Sequence, residues 1–192
     1  MEWKYLERGM KDFLTIRPPR YINKILECFK IANSKPHSTP MVKRGPLESC
    51  VKEKEVLNVP YRDAIGSLLY LVSTKRPAIT FAVNILSRQQ YDPINDDWRC
   101  VKRISRCLQS TKDVELSYTG KTNTVTLYTD ASLADNSDGS STEGYLVLLF
   151  GDPVGWRSRK QSLVTMSTHE AEFLAMSNGC MDAVGWCKIV IL

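Results

Sequence analysis

Three carboxylates stand where their types and spacing could do chemistry. Asp130 lies near the end of an apolar run, VTLYTDAS (Val125–Ser132), and Glu170 and Glu172 fall in a helical start, STHEAEFLA at 167–175. Between them, GYLVLLF at 144–150 and VGWRSRKQ at 154–161 have the spacing of a hairpin. An acid at a strand end and another on a helix can meet over one sheet edge. Hard oxygen ligands gathered in that way hold Mg²⁺, and paired Mg²⁺ ions are a common apparatus for cutting phosphodiesters. Glu170 and Glu172 are two positions apart, so they point about 200° away from one another round a helix.

The elements that must position these acids follow from periodicity. From residue 114 the pattern is strand-like, with short strands expected at 114–118, 125–130, 144–150 and 154–158. Gly151, Asp152 and Pro153 mark a tight hairpin. Residues 165–192 read as one long helix, with Phe173, Leu174, Met176, Met181, Val184 and Ile189 expected inside. Before residue 112 the period is helical. A short β-like stretch at 11–16 precedes helices at 21–31, 60–71, 76–88 and 94–108, and residues 33–57 form a long exposed connection. Strands and helices segregated in this way predict an α+β fold, helical over 1–112 and strand-rich with a long helix over 113–192.

Charge divides at the same place. Residues 1–112 carry 21 Lys and Arg against 11 Asp and Glu, whereas residues 113–192 carry 5 against 10. The basic half could follow a phosphate backbone and the acidic half could hold cations; plain solvated faces explain the same numbers. Within the basic half, Arg99, Lys102, Arg103 and Arg106 share one side of the 94–108 helix, and contact with phosphates and contact with water are equally good readings. Trp156, flanked by Arg157, Arg159 and Lys160, suits either a nucleic-acid backbone or strand packing. With 43% hydrophobic and 24% charged residues, the chain has the composition of a folded domain. No apolar run approaches the length of a membrane span, and the charged first 13 residues lack the core of a signal peptide. Six scattered cysteines without a CxxC pair, beside two histidines, argue against zinc and for free thiols in a reducing, intracellular compartment, cytoplasmic or nuclear.

YRDAIGSLLYL (61–71), RPAITFAVNILSR (76–88), DPINDDWRCVKRISRCLQST (92–111), LYTDASLAD (127–135), VGWRSRKQ and STHEAEFLA occur in an order that resembles the Pol polyproteins of copia-type (Pseudoviridae-like) retrotransposons. The upstream YINKILECFKIANSKPHSTPM (21–41) is similar to the segment after the polymerase palm in those proteins. The resemblance covers nearly the whole chain. It implies the end of a reverse transcriptase, with its thumb and connecting helices, at 1–112, and the start of a ribonuclease H domain at 113–192, a truncated mixed sheet with a long helix. By this resemblance Asp130 and Glu172 match catalytic metal ligands, and Glu170 is left on the solvated face. The cofactor implied is Mg²⁺ or Mn²⁺. The partners implied are an RNA–DNA hybrid or other nucleic acid, contacted by Lys102, Arg103, Arg106, Arg157, Arg159 and Lys160, and the remainder of the polyprotein, with no membrane.

The family's polymerase aspartates would fall before Met1 and its third nuclease Asp beyond Leu192, so the chain alone is expected to be inactive. The alternative is a basic nucleic-acid-binding or assembly remnant without chemistry. Ala78, Asp97 and the stretch Gly139-Ser140-Ser141-Thr142-Glu143 stand where the family pattern has other residues.

Overall fold

A computed structural model describes residues 14–42 and 58–191. Residues 11–13 of the expected first strand and 43–57 of the expected connection lie outside the described residues. The described residues form five α-helices, a 3₁₀ turn and two small antiparallel sheets, a mixed α and β architecture. None of these helices is long and apolar enough to cross a membrane. The chain divides into two compact units, Arg17–Val114 and Met1–Ile16 with Glu115–Leu192.

The first of these units is helical. Helix α1 (Pro19–Cys28) opens on Pro19, whose fixed φ suits a first helical turn, and buries Ile22, Ile25 and Leu26. It ends as Lys30 turns into the left-handed region at φ 56°. Helix α2 (Tyr61–Thr74), the 3₁₀ turn Pro77–Ile79, helix α3 (Thr80–Ser87) and helix α4 (Asn95–Ser110) follow. Ile22, Ile65, Leu68, Leu71, Val83, Leu86, Val101, Ile104 and Leu108 form the centre of one core. Each such side chain contributes about 1.5–3 kcal/mol by leaving water. The Tyr61 hydroxyl crosses this core to donate to the Leu86 carbonyl at 2.9 Å.

Both ends of α4 are closed by side chains. The Ile94 N–H donates to the Asp97 carboxylate at 3.1 Å, one turn into the helix. At the other end the buried Arg76 donates through Nη2 to the carbonyls of Thr111 at 2.8 Å and Lys112 at 3.2 Å. Positive charge at a helix C-terminus also meets the negative end of the helix dipole. Burial lowers the Arg76 pKa from its usual value, with Cys107 and Asp113 opposing that shift.

In the second unit, strand β1 (Leu14–Ile16) pairs antiparallel with β2 (Leu116–Tyr118). Strands β3 (Val125–Ser132), β4 (Thr142–Leu149) and β5 (Asp152–Lys160) form an antiparallel sheet in that order. The β4–β5 loop corrects the expected Gly151-Asp152-Pro153 turn. Leu149 pairs with Asp152, so the loop is Phe150-Gly151, and both residues have positive φ, 56° and 89°. Two positive φ values are what a two-residue hairpin loop needs to match the strand twist. Asp152 begins β5 and accepts the N–H groups of Thr119 at 2.5 Å and Gly120 at 2.7 Å, which lower its pKa. Pro153 sits beside a register shift on edge strand β5, where a missing N–H is tolerated.

Helix α5 (Thr168–Ile191) lies on this sheet through small residues, contrary to the expected apolar set. Ala171, Ala175 and Gly179 are buried, whereas Phe173, Met176, Met181, Val184 and Ile189 are exposed and Leu174 is half-buried. The reason is close approach: a Cβ on Gly179 would stand 3.0 Å from Thr129 Cγ2 and 3.1 Å from Leu127 Cδ1. A ridge of small residues at every fourth position lets the helix seat deeply and turns its large side chains outward.

Candidate functional site

Alternation along β3 decides where the acids fall. Leu127 and Thr129 face α5, and Tyr145 of β4, opposite Thr129, hydrogen-bonds through its hydroxyl to Asp182 of the helix. Asp130, the next strand residue, pairs with Gly144 and belongs to the other face. It is exposed, and its carboxylate makes no hydrogen bond or ion pair among the described residues. Glu172 lies two turns before Gly179 and lines a shallow concavity with Thr129, Thr168, His169, Phe173 and Met176. Asp130 does not line it. Glu172 and Asp130 therefore come from neighbouring positions of the unit but from opposite sides of β3. No group of three His, Cys, Asp or Glu side chains among the described residues could hold a metal ion.

The second helix acid has a structural use. The Ser167 hydroxyl accepts the Glu170 N–H at 3.3 Å, and the Glu170 carboxylate accepts the Met166 N–H at 2.7 Å. This reciprocal cap starts α5, and its signature, Ser followed three residues later by Glu, is present in the sequence.

A polar cluster that sequence reasoning did not assemble lies under α5. Glu143 is buried on the helix-facing side of β4. Its carboxylate accepts Arg159 Nε at 2.5 Å, Asn178 Nδ2 at 3.0 Å and Gln161 Nε2 at 3.2 Å. Gln161 also donates to the Ala171 carbonyl at 2.8 Å. A carboxylate can accept several donors, so burial of this charge is compensated. The one sequence signal was the departure from the family pattern over 139–143, a stretch that ends on Glu143.

The six basic residues divide by partner. On β5, Arg157 is exposed, Arg159 is held by Glu143, and Lys160 pairs with Asp138. Lys160 and Ser140 hold the Asp138 carboxyl well below the usual range. On α4, Lys102 Nζ lies 5.7 Å from the Trp98 ring centroid, and Arg103 Nη2 donates to Thr39 Oγ1 at 2.8 Å. Among the described residues Arg106 gives only its backbone carbonyl, which accepts the His37 N–H at 3.4 Å. The segment 31–42 runs beside α4 here, so the helix side that the sequence offers to solvent is partly covered by the chain itself.

One unit with an antiparallel hairpin sheet and a helix seated on it, and one helical unit with a basic ridge, define a mixed α and β protein of bipartite charge. Comparison with known proteins gives the family. The chain is 35% identical over 182 residues to the retrovirus-related Pol polyprotein from transposon TNT 1-94 of Nicotiana tabacum, covering 91% of this chain and 14% of that one. It is 36% identical over 174 residues to the Pol polyprotein from transposon RE2 of Arabidopsis thaliana, covering 89% and 12%. A match of 42% over 135 residues, 69% of this chain and 94% of the other, is to Secreted RxLR effector protein 161 of Plasmopara viticola. The chain belongs to the retrovirus-related Pol polyproteins of copia-type transposons, and it spans about one seventh of the TNT 1-94 polyprotein's length. No family model matches it, and no solved structure does.

Proposed function

We propose that this Pol segment joins the end of a reverse transcriptase, at 1–112 with its thumb and connecting helices, to the beginning of a ribonuclease H domain at 113–192. Within the polyprotein it acts on an RNA–DNA hybrid inside the cell, in cytoplasm or nucleus. The observation that carries this reading is the antiparallel β3-β4-β5 sheet with α5 seated on it, bearing Asp130 on the first strand and Glu172 on the helix. The similarity to transposon polyproteins extends over 91% and 89% of the chain. The effector similarity covers 69% and gives the segment no chemistry.

Asp130 and Glu172 are the proposed carboxylates of the nuclease site. By themselves they do not fit a pair of Mg²⁺ or Mn²⁺ ions. They stand on opposite sides of β3, and no third ligand joins either of them among the described residues. This chain alone therefore binds nucleic acid without cutting it.

The test is cleavage of a labelled RNA–DNA hybrid by the 192-residue chain in Mg²⁺ or Mn²⁺, with Asp130→Asn and Glu172→Gln alongside. The expected result is a background rate in all three proteins. Robust cleavage by the parent chain, abolished by both substitutions, overturns the inactivity and shows that the two acids converge in solution.

A further inference from the structure

Beside α4 a group of cations gathers with no carboxylate paired to it among the described residues. The segment 31–42 is tied to this helix by a series of hydrogen bonds. Gln109 Nε2 donates to the Ala32 carbonyl at 2.8 Å, Ser110 Oγ to the His37 carbonyl at 2.7 Å, and Arg103 Nη2 to Thr39 at 2.8 Å. The His37 N–H reaches the Arg106 carbonyl, and Cys107 Sγ lies 3.8 Å from the Ser38 carbonyl. These ties bring His37 to Arg103 and Arg106, with Lys35 two residues earlier. Desolvation first, and then the charges of Arg103, Arg106 and Lys35, lower the His37 pKa.

The arginines are incompletely satisfied. The Nε atoms of Arg103 and Arg106 are both shielded from solvent and have no acceptor. No Asp or Glu among the described residues pairs with either guanidinium. Buried donors without acceptors call for a missing one, and two adjacent guanidinium groups call for an anion. Lys102, by contrast, rests on Trp98 and lies outside this group.

We propose that Lys35, His37, Arg103 and Arg106 form a seat for one backbone phosphate of a bound nucleic acid, built between the 31–42 segment and α4. This deepens the nucleic-acid reading above and rests on it. The terminal Nη groups of the two arginines that are not already engaged supply donors to the phosphate oxygens, and the His37 ring supplies a further N–H. The segment 31–42 holds the donors together before the ligand arrives, which limits the ordering cost of binding.

The experiment uses the full chain and two probes, an RNA–DNA hybrid oligonucleotide and inorganic phosphate. Hybrid affinity is measured by fluorescence anisotropy across a salt series, and the His37 ring resonances are followed by NMR during both titrations. Arg103→Gln and Arg106→Gln are each expected to weaken hybrid binding about five- to ten-fold at low salt and to reduce the salt slope by about one. Lys24→Gln, an exposed charge on α1, is the control for simple charge loss and is expected to leave the slope nearly unchanged. Arg106→Lys keeps the charge, loses the fork and is expected to fall between parent and Arg106→Gln. Circular dichroism melts check that each variant is folded.

Inorganic phosphate is expected to move the His37 resonances in the parent and not in Arg106→Gln. Hybrid binding with parental affinity and slope in both arginine variants, and an unmoved His37, overturn the seat while leaving the wider nucleic-acid reading intact. A His37 response to phosphate that depends on Arg106, without any hybrid binding, keeps an anion seat but overturns its assignment to nucleic acid. Silence of His37 towards both probes overturns the seat altogether.

Discussion

Arg76 shows how one buried side chain can hold a helix end. Arg76→Met keeps much of the volume but leaves the Thr111 and Lys112 carbonyls without their donor. A loss of about 2–3 kcal/mol in urea unfolding is expected from a charged hydrogen-bond donor removed from a buried site. Tyr145 gives a test by pH. Burial first, and then the adjacent Asp182 carboxylate, push its phenol from 10.0 up to about 12. The unfolded phenol ionises first, so the stabilisation is whole below pH 10 and fades as the pH climbs towards about 12. Tyr145→Phe is expected to flatten that alkaline loss in unfolding measured across the same window. At this scale the sequence was legible where a residue acts locally. The Ser167–Glu170 cap has a local signature that the solvated-face reading of Glu170 passed over, whereas the partners of Glu143 come from β5 and α5 and no local pattern announces them.

Helices and strands were more legible than the faces they present. Helical periodicity sufficed to place α1, α2 and α4, where Ile22, Ile65, Leu68, Val101, Ile104 and Leu108 are buried, because each helix buries a single stripe against other helices. It misread α5, whose apolar residues run round the whole circumference, so that size rather than hydrophobicity selected the packed side. Gly179→Ala tests this directly. Its new Cβ meets Thr129 and Leu127 near 3 Å, and a loss of about 1–3 kcal/mol is expected as the helix lifts. Gly155→Ala brings a Cβ to 2.6 Å from Trp186 Nε1 and is expected to act in the same direction, read as a change in Trp fluorescence together with a lower thermal midpoint. Phe173→Ser, on the outward side, is expected to leave the midpoint within about 1 °C, because an exposed side chain contributes little burial.

At the scale of the whole chain, the candidate site was legible as an inventory and not as a geometry. The sequence names Asp130 and Glu172, but strand alternation, read from the register with β4, sets them on different sides of β3. Charge then makes two readings of these acids separable by binding alone. The 1–112 segment carries ten more cations than anions, and residues 113–192 carry five more anions than cations. If the acids act only as negative charges near a phosphate backbone, neutralising either one relieves repulsion. Asp130→Asn and Glu172→Gln are then expected to bind an RNA–DNA hybrid as tightly as the parent or up to about two-fold more tightly, with the advantage shrinking as salt screens it. If instead they hold a divalent ion that bridges to the hybrid, 5 mM Mg²⁺, on the order of a typical assay concentration, strengthens parental binding and both substitutions abolish that gain. Anisotropy titrations with Mg²⁺ or EDTA at constant ionic strength distinguish the cases. The geometry of β3 predicts the first outcome, and a Mg²⁺-dependent gain lost in both variants would overturn it.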